Sequence, residues 1–390
     1  MSVTKRVFLI VLDSVGIGEA LDAKAFGDVG AHTLKSVFQT GKLRIPNLIK
    51  LGLGNIDGLE FLGKAPNPSA SFARLREASA GKDTTVGHWE IAGHISASPL
   101  PTFPDGFPTE VTDELCRIFG RKILCNKPYS GTQVLCDYGE EHVKCGKPIV
   151  YTSADSVLQI AAHTDVIPLD KLYGYCQRVR NFMKGEKLGI GRVIARPFEG
   201  EVGAFKRTAD RRDFSVTPPE GLIADALLEN GYDTLAVGKI SDIFAGRGFT
   251  KSIYTHSNTD GMSVTSQLAK HSFHGLCFVN LVDFDMLYGH RRNAVGYAEA
   301  LCEFDAWLGG FLDRLLPDDL LIITADHGCD PCFTLSTDHT REDVPCLIYN
   351  SMMTPRDLGV RNTFSDVAAT VADYLGVTFE CKGRSMISNL

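Results

Sequence analysis

The chain has 390 residues, of which 44% are hydrophobic and 22% charged, and its formal net charge at pH 7 is −7. This length exceeds what a single hydrophobic core usually serves, so we expect two domains. The negative charge argues against a nucleic-acid groove or an anionic membrane surface as the main partner.

The first predicted element is the apolar run VFLIVL, residues 7–12, which follows two basic residues. This beginning resembles a signal peptide, but Asp13 ends the apolar run too early for one. No stretch of the sequence approaches the length of a membrane span. The 11 cysteines, an odd number without a secretion signal, are typical of reduced thiols in a cytosol. We therefore expect a cytoplasmic protein.

Further apolar runs without alternating polar residues predict buried parallel strands. They lie at residues 148–152, 234–238, 276–282, 320–324 and 344–349. Amphipathic segments predict helices at residues 294–316 and 365–376, the second with Ser365 or Asp366 as its cap and Gly376 as its stop. Strands that alternate with helices predict an α/β fold with a mostly parallel sheet.

The middle of the chain differs from both ends in composition. Prolines, glycines and charges are frequent from about residue 98 to 219, and the stretches at 98–108 and 215–221 look like linkers. We therefore predict a core formed by residues 1–98 and 218–390, with an inserted second domain at residues 99–217.

Carboxylates and imidazoles follow three of the predicted strands. The set is Asp13, Asp285, His290, Asp326, His327 and His339. Each residue alone is a weak signal, because a carboxylate after a strand is often a cap or turn residue. Sites in open α/β sheets form beyond the carboxyl ends of the strands, however. The repetition after three strands favours a site for two divalent cations, to which Mn²⁺ or Zn²⁺ is better suited than Mg²⁺.

The stretch GKDTTVGHWE, residues 81–90, contains the adjacent hydroxyls of Thr84 and Thr85. Two neighbouring metal ions neutralise charge in phosphoryl transfer, and they can activate a hydroxyl as a nucleophile. If a helix starts near Val86, its N-terminal amides favour a phosphate. The alternative is that Asp83 and the threonines merely cap that helix.

The stretch CDPC, residues 329–332, has the spacing of a redox or zinc motif and lies beside Asp326 and His327. No second cysteine pair supports either role. We expect Cys329 and Cys332 to be dispensable thiols on a loop.

A series of longer stretches runs from near the start of the chain to about residue 345. They are VLDSVGIGEA, GKDTTVGHWEIAG, VYTSADSVLQIAAH, GRVIARPFEGEVGAF, VGKISDIFAGRG, NLVDFDMLYGHRR, ITADHG and TDHTREDVP. This ordered series resembles the bacterial phosphopentomutases of the alkaline phosphatase superfamily. The resemblance implies an alkaline-phosphatase-like core with an inserted α/β cap. It also implies interconversion of ribose 1-phosphate and ribose 5-phosphate, and of the 2-deoxyribose pair, through a ribose 1,5-bisphosphate intermediate.

The resemblance further implies two Mn²⁺ ions and a phosphorylated threonine. One metal falls by position to Asp13, Asp326, His327 and the threonine, and the other to Asp285, His290 and His339. Ser153 and Asp155 match positions that contact the sugar. Arg192, Arg207 and Lys239 match positions that hold the non-reacting phosphate. The loop between His327 and His339 and the stretch RTADRRDF depart from the commoner pattern without losing a proposed ligand.

More distant relatives favour one of the two threonines. The cofactor-independent phosphoglycerate mutases carry a serine nucleophile four residues before a histidine, which here is the position of Thr84. We therefore expect Thr84 to be the nucleophile and phosphate carrier, with a supporting role at most for Thr85.

Several other functions fit the same metal set. A plain phosphatase would lack a phosphate clamp on the cap, and a phosphoglycerate mutase would need a site for a carboxylate. A sulfatase is disfavoured because the sequence has no C/S-x-P-x-R stretch. A metal-stabilised binding protein would show no turnover. We expect small-molecule pentose phosphates as partners, and no nucleic acid, membrane or obligate protein partner.

Overall fold

The computed structural model describes residues 4–153, 155–185, 187–336 and 338–387. They form two compact units, of which the smaller is Leu100–Thr217 and the larger comprises the segments up to Pro99 and from Pro218 onwards. That the smaller unit acts as a cap and contributes substrate contacts stays a prediction. No helix among these residues combines the length and the apolar character needed to cross a membrane.

The strands of the described residues occur in both units. In chain order they are β1 (Arg6–Leu12), β2 (Ser71–Leu75), β3 (Leu124–Pro128), β4 (Ile149–Thr152), β5 (Val157–His163), β6 (Arg192–Glu199), β7 (Lys206–Arg207), β8 (Arg212–Ser215), β9 (Asp233–Val237), β10 (Lys251–Ile253), β11 (Gly275–Leu281), β12 (Asp319–Thr324), β13 (Val344–Tyr349) and β14 (Asp357–Arg361).

The α-helices of the same residues alternate with many of these strands. They are α1 (Ala23–Phe26), α2 (Thr33–Phe38), α3 (Pro46–Leu51), α4 (Thr84–Ile91), α5 (Thr109–Phe119), α6 (Gln133–Cys145), α7 (Leu169–Phe182), α8 (Ile223–Glu229), α9 (Ile240–Ile243), α10 (Asn258–Leu268), α11 (Ala294–Leu312) and α12 (Ser365–Leu375). Two short 3₁₀ turns, Leu53–Asn55 and Glu60–Leu62, and a π-helical turn, Phe284–Gly289, complete the helical elements.

The larger unit is built on an eight-stranded sheet with the strand order β10-β9-β11-β1-β12-β13-β2-β14. From β10 to β12 all neighbours run parallel, and β1 lies in the middle between β11 and β12. Every residue of β11, β1 and β12 is buried, which explains why the sequences of these strands are almost wholly apolar. The predicted α/β class with a mostly parallel sheet is therefore confirmed.

Two of the predicted parallel strands have an antiparallel neighbour. Strand β13 runs antiparallel to both β12 and β2, so the direction predicted for residues 344–349 is wrong. Strand β4 belongs to the smaller unit, where it runs parallel to β3 and antiparallel to β5. The reason is physical: a strand that is buried on both faces is apolar throughout, whichever way its neighbours run.

The helix boundaries differ from the prediction in two places. Helix α11 ends at Leu312, four residues before the predicted end at 316, and the chain then forms turns. The N-cap position of α12 is Phe364, whose side chain forms no capping hydrogen bond, so the cap expected at Ser365 or Asp366 is wrong. The Asp366 carboxylate instead accepts hydrogen bonds from Arg361 Nε at 2.6 Å and from the backbone N–H of Arg384 at 2.7 Å.

The smaller unit has its own sheet with the order β3-β4-β5-β6-β7, and β8 also pairs with β6. Helices α5 and α7 pack on one face, where Val150, Leu158 and Val193 are buried. Helix α6 packs on the other face, over Ile149, Tyr151 and Phe198. The unit is thus a mixed sheet with helices on both sides, in agreement with the predicted α/β character of the insertion.

Candidate metal centre

The predicted ligands of the larger unit lie beyond the carboxyl ends of its central strands. Asp13 follows β1, and Asp326 and His327 follow β12. Asp285 lies in the π-helical turn after β11, an irregular turn of a kind that is frequent at functional sites. Because β11, β1 and β12 are parallel neighbours, these three exits open at one edge of the sheet. Residues that are up to about three hundred positions apart in the sequence therefore meet.

His327 lies at the centre of the first group of side chains. Its Nε2 is 3.2 Å from Asp326 Oδ2, 3.5 Å from Asp13 Oδ1 and 3.0 Å from the hydroxyl of Thr84. Asp13, Asp326 and His327 are fully buried, with at most 1% of each residue exposed. Asp13, Asp326 and His327 offer ligand atoms within 4.8 Å of one another, and the Thr84 hydroxyl lies beside them.

Asp285 connects the second group to the first. Its Oδ2 lies 3.3 Å from His290 Nε2 and its Oδ1 lies 3.5 Å from His339 Nε2. The ring of His339 also stacks on that of His327, with 4.0 Å between the ring centroids. A backbone bridge between Gly328 and Thr340 holds these two histidines next to each other. The structure thus brings all six predicted ligands together as two adjoining groups.

Three carboxylate oxygens of this donor set lack a hydrogen-bond donor, which suits the binding of divalent cations. Asp13 Oδ1, Asp285 Oδ1 and Asp326 Oδ2 are buried and accept no hydrogen bond from any described residue. Each instead faces an imidazole nitrogen of His327 or His339 at a distance between 3.2 and 3.5 Å, and Asp326 Oδ2 also lies 3.0 Å from His88 Nδ1. Buried carboxylate oxygens without a donor are costly unless a charge compensates them. Mixed carboxylate and imidazole donors suit a transition metal such as Mn²⁺ or Zn²⁺.

The pKa values of these groups reflect the same excess of negative charge. Burial lowers the pKa of His327, but the charges of Asp326 and Asp13 outweigh it and raise that pKa to about 10. Burial also lowers the pKa of His290, but the hydrogen bond from His290 to Asp285 outweighs burial and raises that pKa to about 12. Burial and the nearby charge of Asp326 raise the pKa of Asp13 to about 6. The carboxylates thus stabilise positive charge, and a bound cation competes with the imidazole protons for it.

Helix α4 presents Thr84 to the first group. The Asp83 side chain caps the helix by accepting hydrogen bonds from the N–H groups of Thr85 at 3.0 Å and Val86 at 3.1 Å. Thr84 is the first helical residue and is buried, and its hydroxyl contacts His327. Asp83 therefore does cap the helix, but this role does not extend to Thr84, whose side chain points at the donor set.

Sequence reasoning missed two polar residues that support the first group. His88 is fully buried, with Nδ1 2.8 Å from the carbonyl oxygen of Thr84 and 3.0 Å from Asp326 Oδ2. Asn280 donates a hydrogen bond from Nδ2 to Asp13 Oδ2 at 3.0 Å. The sequence contained a signal for each residue. His88 follows Thr84 by one helical turn, and Asn280 is the sole polar side chain of β11.

The two cysteines of CDPC have different environments. Cys332 is exposed, as expected of a loop thiol. Cys329 is 2% exposed, and its Sγ lies 3.9 Å from His290 Nδ1. Asp285, His290 and Cys329 offer ligand atoms within 4.8 Å of one another. Cys329 therefore lies on a loop as expected, but it is buried and its side chain packs against the second group. That both thiols are dispensable stays a prediction.

The predicted substrate contacts lie in both units. Lys239 follows β9 in the larger unit. Burial raises the pKa of the Asp13 carboxyl, and the positive charge of Lys239 is near enough to lower it in part. Ser153 and Asp155 follow β4 in the smaller unit, where Ser153 Oγ accepts a hydrogen bond from the Asp155 N–H at 3.4 Å. The remaining two residues are arginines of the same unit, Arg192 at the start of β6 and Arg207 in β7. Their roles as contacts stay predictions.

Comparison with protein families places the chain in a known class. The model of the Metalloenzyme superfamily matches residues 5–379, almost the whole chain. The chain is therefore a member of the metalloenzyme superfamily. The solved structure of phosphoglycerate mutase from Leishmania mexicana covers 98% of both chains with a TM-score of 0.50 and 13% identity, so its likeness shows the fold alone. The predicted alkaline-phosphatase-like fold is confirmed.

Curated relatives narrow the class further. A phosphopentomutase of Lachnoclostridium phytofermentans is 54% identical over 385 residues, which are 98% of each chain. A phosphopentomutase of Caldanaerobacter subterraneus subsp. tengcongensis is 53% identical over 387 residues, 99% of this chain and 98% of the relative. The chain belongs to the phosphopentomutase family.

Proposed function

We propose that the chain is an isomerase that interconverts ribose 1-phosphate and ribose 5-phosphate, together with their 2-deoxyribose counterparts. The observation that carries this proposal is the position of Thr84, whose hydroxyl lies 3.0 Å from His327 Nε2 within the donor set. The similarity to phosphopentomutases over the full chain supports the choice of substrate.

Two Mn²⁺ ions are the proposed cofactors. Asp13, Asp326, His327 and Thr84 would hold one ion, and Asp285, His290 and His339 would hold the other. When bound, such ions neutralise charge on the transferring phosphoryl group and on the attacking and leaving oxygens.

The reaction begins from Thr84 in its phosphorylated form. The free hydroxyl of a bound pentose monophosphate attacks the phosphorus, the bond from phosphorus to Thr84 Oγ1 breaks, and the proton of the attacking hydroxyl ends on the released Thr84 Oγ1. The product is ribose 1,5-bisphosphate. The sugar then reorients, and the other phosphate returns to Thr84 as its bond to the sugar breaks. No phosphate is consumed, so the net reaction is an isomerisation.

The chain's own residues position these groups. The N–H groups of Thr85 and Val86 donate to Asp83, so helix α4 favours the negative charge of a phosphate on Thr84 through the partial positive charge of its N-terminus. His88 holds the first turn of that helix against Asp326 through its Nδ1. Ser153 and Asp155 contact the sugar, and Arg192, Arg207 and Lys239 hold the non-reacting phosphate. Exclusion of water from the bound sugar would protect the phosphothreonine from hydrolysis.

Product analysis tests this function against its nearest rivals. Protein loaded with Mn²⁺ is given ribose 1-phosphate, and phosphorus NMR follows ribose 5-phosphate and free phosphate together. We expect conversion with little free phosphate. Free phosphate as the main product would make the chain a phosphatase, and conversion of phosphoglycerate under the same conditions would make it a different mutase. No turnover of either substrate would leave a binding protein.

Matched threonine variants test the phosphate carrier. Thr84→Val should abolish interconversion, and Thr85→Val should keep most of it, because the Thr84 hydroxyl alone contacts His327. Mass spectrometry of the parent should place the phosphate on Thr84. Phosphate on Thr85, or full activity of Thr84→Val, contradicts the assignment. The cytoplasmic location and the lack of nucleic-acid, membrane and obligate protein partners also stay predictions.

A further inference from the structure

Arg341 is a buried arginine two residues after the proposed ligand His339, and its side chain is 2% exposed. Its guanidinium forms five hydrogen bonds, as many as it has N–H groups. Nε and Nη2 donate to the two carboxylate oxygens of Asp22, both at 3.0 Å. Nη1 donates to Glu77 Oε2 and, at 2.6 Å, to the carbonyl oxygen of Gly81, while Nη2 also donates to the carbonyl oxygen of Glu77 at 2.9 Å. Because every donor is used, the guanidinium is fixed in one orientation.

These five bonds join three segments that are far apart in the sequence. Asp22 immediately precedes α1, and Glu77 and Gly81 lie in the segment between β2 and α4. Arg341 itself lies in the segment that leads from His339 into β13. One side chain therefore connects the loop before the helix of the proposed nucleophile with the segment that carries a ligand of the second group.

The backbone of Arg341 strengthens the same connection. Its N–H group donates to Asp28 Oδ2 at 2.8 Å, and the same carboxylate oxygen accepts a hydrogen bond from Lys82 Nζ, also at 2.8 Å. The carbonyl oxygen of Arg341 accepts a hydrogen bond from the N–H group of Ala20 at 3.0 Å. Side chain and backbone thus hold the loop before α4 at two successive residues, Gly81 and Lys82.

The loop held in this way ends at the proposed phosphate carrier. Gly81 and Lys82 directly precede Asp83, which caps α4, and Thr84, its first residue. The other side of the connection has a second support, since the backbone bridge between Gly328 and Thr340 also holds the segment of His339. The loop before α4 is therefore the side that should move when the guanidinium is lost. A displacement of about 1 Å in a reacting group can lower the rate about a hundredfold.

We propose that Arg341 is a positioning residue, which holds the Thr84 hydroxyl in place at the first group by fixing the loop before α4 to the segment of His339. None of its five side-chain bonds goes to a proposed metal ligand, so it acts through the backbone of this loop. The inference rests on the proposed function, which makes Thr84 the phosphate carrier. The role needs an arginine, because a lysine has three donors on a single atom and cannot replace the planar fork.

Arg341→Lys tests the proposal, because it keeps the charge beside Glu77 and removes the fork. The matched control is Arg6→Lys. Arg6 is also buried in the larger unit, and its Nε and Nη2 donate to the two carboxylate oxygens of Asp319 at 2.7 and 2.6 Å. It lies at the start of β1, at the opposite edge of the sheet from the proposed ligands. Melting temperature, kcat and KM for ribose 5-phosphate are measured on the full-length, Mn²⁺-loaded protein.

The two variants should differ in catalysis and agree in stability. Both should lower the melting temperature, because each loses part of a buried set of hydrogen bonds. Arg341→Lys should also lower kcat about tenfold to a hundredfold, because Thr84 is displaced from its reacting position. KM should stay within about twofold of the parent, since a loss confined to the transition state lowers kcat and not substrate affinity. Arg6→Lys should leave both constants within about twofold, as expected of a distant and independent position.

The affinity for Mn²⁺ gives a second measurement that does not depend on turnover. Arg341→Lys should weaken Mn²⁺ binding several-fold in the parent, because the Thr84 hydroxyl leaves the first group. In Thr84→Val that hydroxyl is already absent, so adding Arg341→Lys should change the affinity less than about twofold. Calorimetry of Mn²⁺ binding to the four metal-depleted proteins completes this double-mutant cycle.

The outcomes separate this proposal from the proposed function. If the parent interconverts the pentose phosphates, equal kcat values for Arg341→Lys and Arg6→Lys below both unfolding transitions overturn the positioning role and leave the function standing. A parent without interconversion overturns the function, and the Mn²⁺ cycle then decides: an equal loss of affinity with and without the Thr84 hydroxyl, or no loss in either, overturns the positioning role.

A milder variant keeps the test decisive if Arg341→Lys fails to fold. Asp22→Asn weakens one edge of the guanidinium contacts at a side chain that is half exposed, and it leaves the pair of Arg341 with Glu77 in place. It should lower kcat several-fold with KM unchanged. An unchanged kcat in Asp22→Asn would overturn the positioning role.

Discussion

The carboxylate of Glu90 anchors the helix that carries the proposed nucleophile, and its replacement by glutamine should destabilise the larger unit. Glu90 is fully buried in α4. It accepts hydrogen bonds from the N–H groups of Ala78 at 2.9 Å, Ser79 at 2.6 Å and Phe364 at 2.9 Å, and from the hydroxyl of Thr363 at 2.7 Å. One side chain therefore ties α4 to two distant segments.

Glutamine keeps the size of this side chain but replaces one acceptor oxygen by a donor. Ser79 N–H then faces an NH₂ group, and a buried donor without a partner costs about 1–3 kcal/mol. The remaining bonds also lose the strength that a charged acceptor gives them, roughly half of each. Release of the carboxylate from a buried position offsets part of this loss, so we expect a net destabilisation of about 2–4 kcal/mol for Glu90→Gln.

Thermal unfolding measures the effect. At about 2 °C per kcal/mol for a unit of this size, the melting temperature should fall by about 4–8 °C. The control is Glu299→Gln, the same chemical change on the exposed side of α11, which should leave the melting temperature within about 1 °C of the parent. Metal content should be unchanged because Glu90 contacts no proposed ligand. Equal melting temperatures for the two variants would refute the reasoning.

Two further predictions concern the metal centre. Binding of Mn²⁺ to metal-depleted protein at pH 7 should release protons. The pKa values of His327 (about 10) and His290 (about 12) keep both imidazoles protonated until a cation replaces the protons. Calorimetry in two buffers of different ionisation enthalpy counts the released protons, and a count of zero contradicts the assignment of these ligands. Cys329→Ala should weaken Mn²⁺ binding by up to about tenfold because Sγ packs against the His290 ring. Cys332→Ala, at an exposed position, should leave Mn²⁺ binding unchanged. Equal metal affinities of the two variants would show that neither thiol supports the metal centre.

The central strands of the larger unit could be predicted because they are almost wholly apolar, and a run such as residues 276–282, with Asn280 as its one polar side chain, is typical of a strand buried on both faces. Strand β2, Ser71–Leu75, could not be predicted because it is short and interrupted by Arg74. Strand β14 gives no apolar signal because it is largely exposed. The direction of β13 could not be predicted, since direction depends on the neighbours and not on the strand's own residues.

The proposed ligands could be predicted because chemistry-bearing residues follow successive strands, and the parallel order brings those strand ends together. His88 and Asn280 follow no such rule. Each is one polar residue inside a helix or strand, and its partner is supplied by a segment far away in the chain. The environment of Cys329 could not be predicted for the same reason: loop residues take their burial from the surrounding fold, which short motifs do not encode.

The antiparallel course of β13 has a consequence for how this family can diversify. Strand β12 ends and β13 begins at the same rim of the sheet, so the segment between them departs and returns at one place. The Gly328–Thr340 bridge closes the neck of that segment and holds the spacing of His327 and His339. The spacing of the strands therefore does not limit the length of the loop beyond the bridge. Doubling the length of such a loop costs only about 0.6 kcal/mol in closure entropy. Insertions around residues 331–336 should reshape the rim of the site while leaving the flanking histidines in place.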